Sequence, residues 1–274
     1  MIKKIIVALF ALSFLTLNVY SATDRFSEEY LKNNNHFSPM NGFAENLVER
    51  SLKKALKKET GAKFDVKFSG YTLASMKKGI FKSLELTGID VEDNGIILPY
   101  VHLKSISDYN YIDYKKKPME FKSDMIFQYD IELSEESINK ALEEGDYKKI
   151  IKSVNVISGP LFEAKGVRTK IVNSKMYIIM DYNFPIIKSS KDKMFIMTSD
   201  FMVADGRIKA KNVHIDSSYG RISLNKVTNL INLLNPLEFT LDMLENKQCQ
   251  GKIENINIVD NRVKVSGKIY VKGE

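Results

Sequence analysis

Apolar and polar residues alternate with a period of two over most of this chain and follow a helical period in only a few short stretches. Phe64, Val66 and Phe68 alternate with polar partners, and Leu84 and Leu86 carry the pattern on to Val91. Asn94-Gly95 follows, the strongest short-range hairpin signal, and residues 96–114 return as strand. Met119, Phe121, Met125, Phe127, Tyr129 and Ile131 hold odd positions against Glu120, Lys122, Asp124, Gln128 and Asp130, an alternation of 13 residues. At ~3.3 Å per residue that predicts a strand about 40 Å long, roughly twice the usual length. Strand signals recur over 161–172, 176–184, 195–203, 208–213, 249–258 and 263–271, with turn pairs at Asn173-Ser174, Asp205-Gly206 and Asp260-Asn261.

Helical spacing breaks in at three places. Ser38-Pro39 reads as a cap followed by proline in the first turn, and Phe43, Leu47, Val48, Leu52, Ala55 and Leu56 then recur at helical spacing. Lysines fill the last turns and Gly61 ends the helix. Ser134 caps a second helix with Ile138, Ala141 and Leu142 inward, and residues 147–154 continue it beyond Gly145. A third is expected from Ser223 through Leu224, Val227, Leu230, Ile231 and Leu234 to Asn235-Pro236. The fold class is therefore α+β, long antiparallel strands with a few amphipathic helices, and strands of that length normally belong to a strongly curved sheet or a barrel. No linker-like stretch interrupts it, so residues 38–274 read as one domain behind a polar, flexible lead-in at 22–37.

The first 21 residues change the picture of charge. Lys3 and Lys4 precede an apolar run of 13 residues, Ile5 to Leu17, and Val19-Tyr20-Ser21 offers small residues where a signal peptidase reads. The run is shorter than the roughly 20 residues that span a bilayer, so residues 1–21 read as a secretory signal peptide. The alternative is an uncleaved anchor. The net charge of +7 falls to +5 without that segment, and the expected location is extracytoplasmic, in the periplasm or cell envelope. A single Cys249 excludes a disulfide framework and a cysteine zinc site. The alternation around it points to core packing.

Catalytic signatures are missing. No GxSxG, HExxH, P-loop or GxGxxG motif occurs, and His36, His102 and His214 are scattered. Asp90 to Gly95 looks like a calcium loop, but position twelve is Val101 rather than an acidic ligand. The residues assign no catalytic group, metal or cofactor, and the dispersed charge is no footprint for nucleic acid. Two features rise above this background. One is the quantity of apolar strand face rich in Phe, Met, Ile and Leu, suited to flexible acyl chains. The other is a hairpin tip with Tyr109, Tyr111, Tyr114, Lys115, Lys116 and Lys117, whose residue types suit the headgroup zone of an anionic membrane. A merely solvated turn is the competing reading.

The order of elements resembles the LmeA-type phospholipid-binding proteins, an extracytoplasmic bacterial family with TULIP-like architecture. The stretches that carry the resemblance are Ser83 to Val91, Ile131 to Asn139, Phe201 to Ile208, and Ile253 to Ile258 with Val263 to Gly267. It implies a long, strongly curved antiparallel sheet wrapped around amphipathic helices as a TULIP-like half-barrel, with an apolar groove for phospholipid or another acyl lipid and no catalytic motif. Leu47, Leu56, Leu84, Leu86, Phe121, Met125, Phe127, Met180 and Phe201 are the expected groove lining. Tyr111, Tyr114, Lys115, Lys116 and Lys117 are the expected membrane-docking rim. A ~16-carbon tail leaving a bilayer loses about 13 kcal/mol at ~0.8 kcal/mol per CH₂, so a carrier must offer a comparably dry groove. The alternative is a non-enzymatic envelope adaptor that binds another protein through its sheet. A groove filled by the protein's own side chains would favour that alternative.

Overall fold

The computed structural model describes residues 26–33, 39–93, 95–113, 116, 120–143, 145–158, 163–183, 193–217, 220–223, 232, 235–242 and 249–273. The expected signal segment, His36 and most of the expected third helix lie outside them. In chain order the elements begin with helices α1 (Glu28–Asn33) and α2 (Pro39–Thr60), strand β1 (Lys63–Ser69), helix α3 (Leu73–Lys77) and strand β2 (Ile80–Phe81). Strands β3 (Ser83–Asp93), β4 (Ile96–Ser105), β5 (Asn110–Asp113), β6 (Glu120–Phe121) and β7 (Met125–Ser134) follow. Helices α4 (Glu135–Glu143) and α5 (Gly145–Ser158) lead to β8 (Glu163–Val172), β9 (Lys175–Asn183), β10 (Lys193–Ala204), β11 (Arg207–Ser217) and β12 (Gly220–Ser223). Helix α6 (Pro236–Asp242) and the hairpin β13 (Cys249–Val259) and β14 (Arg262–Val271) close the chain.

The strands form three antiparallel sheets, and the described residues contain no closed barrel. The first sheet runs β1-β3-β4-β7-β14-β13, the second β12-β11-β10-β9-β8, and a small third joins β2, β5 and β6. Three tight hairpins turn on pairs with positive φ at both residues, Asn173-Ser174, Asp205-Gly206 and Asp260-Asn261, the geometry that matches strand twist. Ser134 caps α4 by accepting from Ser137 N at 3.0 Å, and Ser137 donates its hydroxyl to Ile97 O in β4. That places α4 against the first sheet, while its other contacts reach β8 and α6. Helix α4 thus bridges the two large sheets, and one buried cluster runs through both.

Two expected strands are broken. The stretch 96–114 divides into β4 and β5, and 119–131 into β6 and β7, with Met119 outside the described residues. The breaks at 106–109 and 122–124 let the chain leave the first sheet, pair in the small one and return. Ser107 Oγ accepts from Ile126 N at 2.9 Å and Ser123 Oγ from Tyr111 N at 2.8 Å, so serines satisfy the backbone at the crossings. The polar lead-in also departs from expectation. Residues 28–33 are helical, and Phe26 and Leu31 are buried with Tyr71 and Ile80.

Ala44, Val48, Leu52 and Leu56 form the inner stripe of α2, packed with Phe64, Val66, Leu84 and Leu86 in the core. The helix also satisfies the rim of the sheet. Phe68 N donates to Glu49 Oε1 at 2.9 Å and Gly70 N to Glu45 Oε1 at 2.8 Å. Lys53 pairs with Asp65 at 2.9 Å, and that lysine, with the Val66 N–H, holds the Asp65 carboxyl below its usual range. The free rim of β8 is covered in the same way. Thr169 N donates to Asn139 Oδ1 at 2.6 Å while Asn139 Nδ2 donates to Thr169 O at 3.0 Å. Asn155 makes the corresponding pair with Ala164, at 2.7 and 2.9 Å, and Ile171 N donates to Glu135 Oε2 at 2.8 Å. On β11, Ile208 N donates to Glu238 Oε2 and Ala210 N to Asn232 Oδ1, at 2.7 and 2.8 Å. A carboxamide offers a donor and an acceptor side by side, as a neighbouring strand does.

Thr169 is buried, and each buried backbone group left unpaired costs about 1–3 kcal/mol. Asn139→Ala is therefore expected to lower the unfolding free energy by about 2 kcal/mol or more, at an unchanged denaturant slope in urea unfolding. A midpoint indistinguishable from the parent would show that water serves Thr169 as well as Asn139 does.

Candidate functional site

The expected groove residues do not share one open groove. Leu56, Leu84 and Leu86 are buried between α2 and the first sheet, and Met125 and Phe127 are buried along β7. Phe121 is buried on β6 and Met180 on β9. Leu47 is partly exposed on α2. Phe201 borders an opening. The interface foreseen for acyl chains is thus filled by the protein's own side chains. Of the expected rim, Tyr111 packs against the Phe26, Leu31, Tyr71 and Ile80 cluster, and burial raises its hydroxyl pKa. Lys116 pairs with Glu120 at 3.2 Å. Tyr114, Lys115 and Lys117 lie outside the described residues, as does the Cys249 side chain.

The opening beside Phe201 is a cleft of about 600 Å³ between the second sheet and β13. Its cause is the way the two sheets meet. Ile253 N donates to Gly206 O at 3.1 Å, so the β10–β11 hairpin tip closes on β13 there. Gly206 has φ of 74° and a Cβ on it would stand 3.0 Å from Lys252 Cγ, which makes glycine the residue that fits both turn and contact. Past that point Ile256, Asn257 and Ile258 of β13 face Met176, Tyr177, Thr198, Ser199, Asp200 and Phe201 across the cleft. A bulge shapes the far wall. The β10–β11 register shifts between Thr198 and Asp200, and Asn212 opposite has φ of 52°. Asn212 Nδ2 donates to Asp200 Oδ2 at 2.8 Å, and His214 lies just beyond.

Two polar atoms in this wall, Ser199 Oγ and His214 Nδ1, are shielded from solvent and have no hydrogen-bond partner among the described residues. Each such atom costs about 1–3 kcal/mol, and both lie behind the cleft surface, not on it. They do not bond each other, so no serine–histidine nucleophile is assembled. No family model matches this chain, and no curated protein or solved structure matches it either.

The rim of β13 decides what the cleft offers. Its two-residue turn makes Val259 and Arg262 a hydrogen-bonded pair, so Ile256 and Ile258 aim N–H and C=O away from β14 and into the cleft. Among the described residues no side chain caps them, in contrast to β1, β8 and β11. Sequence reasoning pointed to Phe201 but missed Ser199, Asn212, Ile256 and Ile258, and saw His214 only as a scattered histidine. The bulge that gathers them leaves no composition signal, since Asn212 is not a residue that demands positive φ.

The outer face of the first sheet is a solvated charge ladder. His102 lies 3.4 Å from both Glu85 Oε1 and Asp130 Oδ2, and Lys67 holds Glu85 at 3.2 Å. Lys67 foremost, then His102, lower the Glu85 pKa. Glu132 bonds Arg262 at 2.6 Å and Lys264 at 3.2 Å, and these hold its carboxyl below the usual range. No group of three His, Cys, Asp or Glu side chains among the described residues could hold a metal ion, and no helix among them is long and apolar enough to cross a membrane. A depressed carboxylate stabilises the fold above its unfolded value of about 4.3 and loses that contribution as pH falls through the folded value. Glu132→Gln is therefore expected to lower stability at neutral pH and to flatten the acid loss below about pH 4, read from thermal melts across pH. Parallel parent and variant profiles would dismiss the role of Glu132.

Proposed function

We propose that this chain is a binding protein, not a catalyst, that takes an extended segment of a partner protein as an added strand on β13 within the cleft. The carrying observation is the pair of uncapped outward positions, Ile256 and Ile258, whereas amides on β1, on β8 and on the stretch of β11 beyond its pairing with β12 are capped by named side chains. Main-chain bonds to such a rim give affinity, and the walls read alternate side chains of the incoming strand. Phe201, Ile256 and Ile258 suit an apolar side chain, and Asp200, Asn212 and Asn257 suit a polar one. With the export expected from the sequence, the partner belongs to the cell envelope.

A phospholipid or other acyl lipid is the second reading, favoured by the apolar side chains of the same cleft. The energetics weigh against it as the first. Nine of the thirteen lining residues are polar, whereas a ~16-carbon tail needs a groove dry enough to return about 13 kcal/mol.

The test is Ile258→Pro, which removes an outward N–H that the β13–β14 ladder does not use. Peptides selected from a random display library on the parent should bind the variant at least tenfold more weakly, with the circular dichroism spectrum unchanged. The parent should also gain hydrogen-exchange protection at the Ile256 and Ile258 amides when such a peptide binds. Peptides that bind both proteins equally would sink the proposal. So would native mass spectrometry of envelope-purified protein showing a bound lipid displaced by Phe201→Ser, which would establish the second reading.

A further inference from the structure

Helix α2 has a second face that the core does not use. At 3.6 residues per turn, Met40, Phe43, Leu47, Arg50, Lys54 and Lys57 fall within a sector about 100° wide, opposite the Ala44, Val48, Leu52 and Leu56 stripe. Met40 is 68% exposed and Phe43 69%, values that stand out for large apolar side chains. Arg50, Lys54 and Lys57 are exposed, and none is in an ion pair among the described residues. The face is apolar at its N-terminal end and basic at its C-terminal end. Its positive sign has a structural origin. Glu45 and Glu49 are drawn inward to the β1 amides, and the exposed residue at the border of the face, Asn46, is uncharged.

We infer that this face of α2 docks on an anionic membrane surface, with Met40 and Phe43 entering the acyl boundary and the basic half resting on headgroups. Charge complementarity selects that occupant. A second copy of the chain fits badly, because antiparallel pairing would lay apolar residues on lysines and parallel pairing would oppose like charges. The side chains themselves match the two layers of a lipid surface, an apolar interior beside a charged plane. This inference does not rest on the cleft, and it holds whether the cleft takes a peptide or a lipid.

The chain contains no tryptophan, so Phe43→Trp gives a single reporter. The exported form beginning at Ala22 would be mixed with vesicles of phosphatidylglycerol and phosphatidylcholine, or of phosphatidylcholine alone. The emission of Phe43→Trp should shift to the blue with the anionic vesicles only, and salt should reverse the shift. Ile89→Trp, on the exposed outer face of the first sheet, should not shift. Each basic residue near such a surface contributes about fivefold, so replacing Arg50, Lys54 and Lys57 by Gln should weaken vesicle binding roughly 100-fold. Circular dichroism controls for folding of these surface variants. No shift at position 43, an equal shift at position 89, or unchanged binding of the triple variant would each overturn the inference. A concentration-dependent shift without vesicles would do so too, by identifying self-association.

Discussion

A strand at the rim of a sheet turns half of its N–H and C=O groups away from its only neighbour. Those groups must find partners, and in this protein the helices are placed to supply them. Glu45 and Glu49 reach from α2 to β1, Asn139 and Asn155 reach from α4 and α5 to β8, and Glu238 reaches from α6 to β11. Each helix also buries an apolar stripe, but burial alone tolerates sliding. The directional bonds to the rims set the positions along the helix axes, because a carboxamide or carboxylate meets an amide only at one register.

That constraint also gives the cleft its meaning. Where a rim is covered by a side chain of the same molecule, no further strand can add to it. At β13 the hairpin tip at Gly206 makes the one backbone bond to this rim among the described residues, and the strand continues past it. Gly267 on the neighbouring strand lets β13 approach there, since a Cβ would lie 2.1 Å from Lys252 O. The bulge at Ser199 and Asn212 shapes the wall opposite, where Asn212 bonds Asp200. A cleft with main-chain groups on one side and mixed side chains on the other is suited to a chain-like ligand.

The charge distribution follows from the same demand. On the inner side of α2 acidic residues meet amides that need acceptors, and on the outward ladder of the first sheet they pair with lysine, histidine and arginine. Arg50, Lys54 and Lys57 are thereby left exposed on the outer side of α2, while Lys116 is paired with Glu120 and Tyr111 is folded into a small cluster.

Alternation, turns and helix caps were legible in the sequence because each depends on residues a few positions apart. The α+β class, the hairpins at Asn173-Ser174, Asp205-Gly206 and Asp260-Asn261, the cap at Ser134 and the inner stripe of α2 all follow from local pattern. The breaks within 96–114 and 119–131 were not legible, because a period of two continues unaltered when a strand changes sheet. Nor was the role of Asn139, whose partner is Thr169, 30 residues away. The cleft was least visible of all. It gathers side chains from β9, β10, β11 and β13, and its shape depends on a bulge and one hairpin contact that no local propensity encodes. Local residue order settles which faces are apolar and where the chain turns. Which faces close on one another, and which rim stays open, are tertiary outcomes, because they rest on hydrogen bonds between residues far apart in the chain.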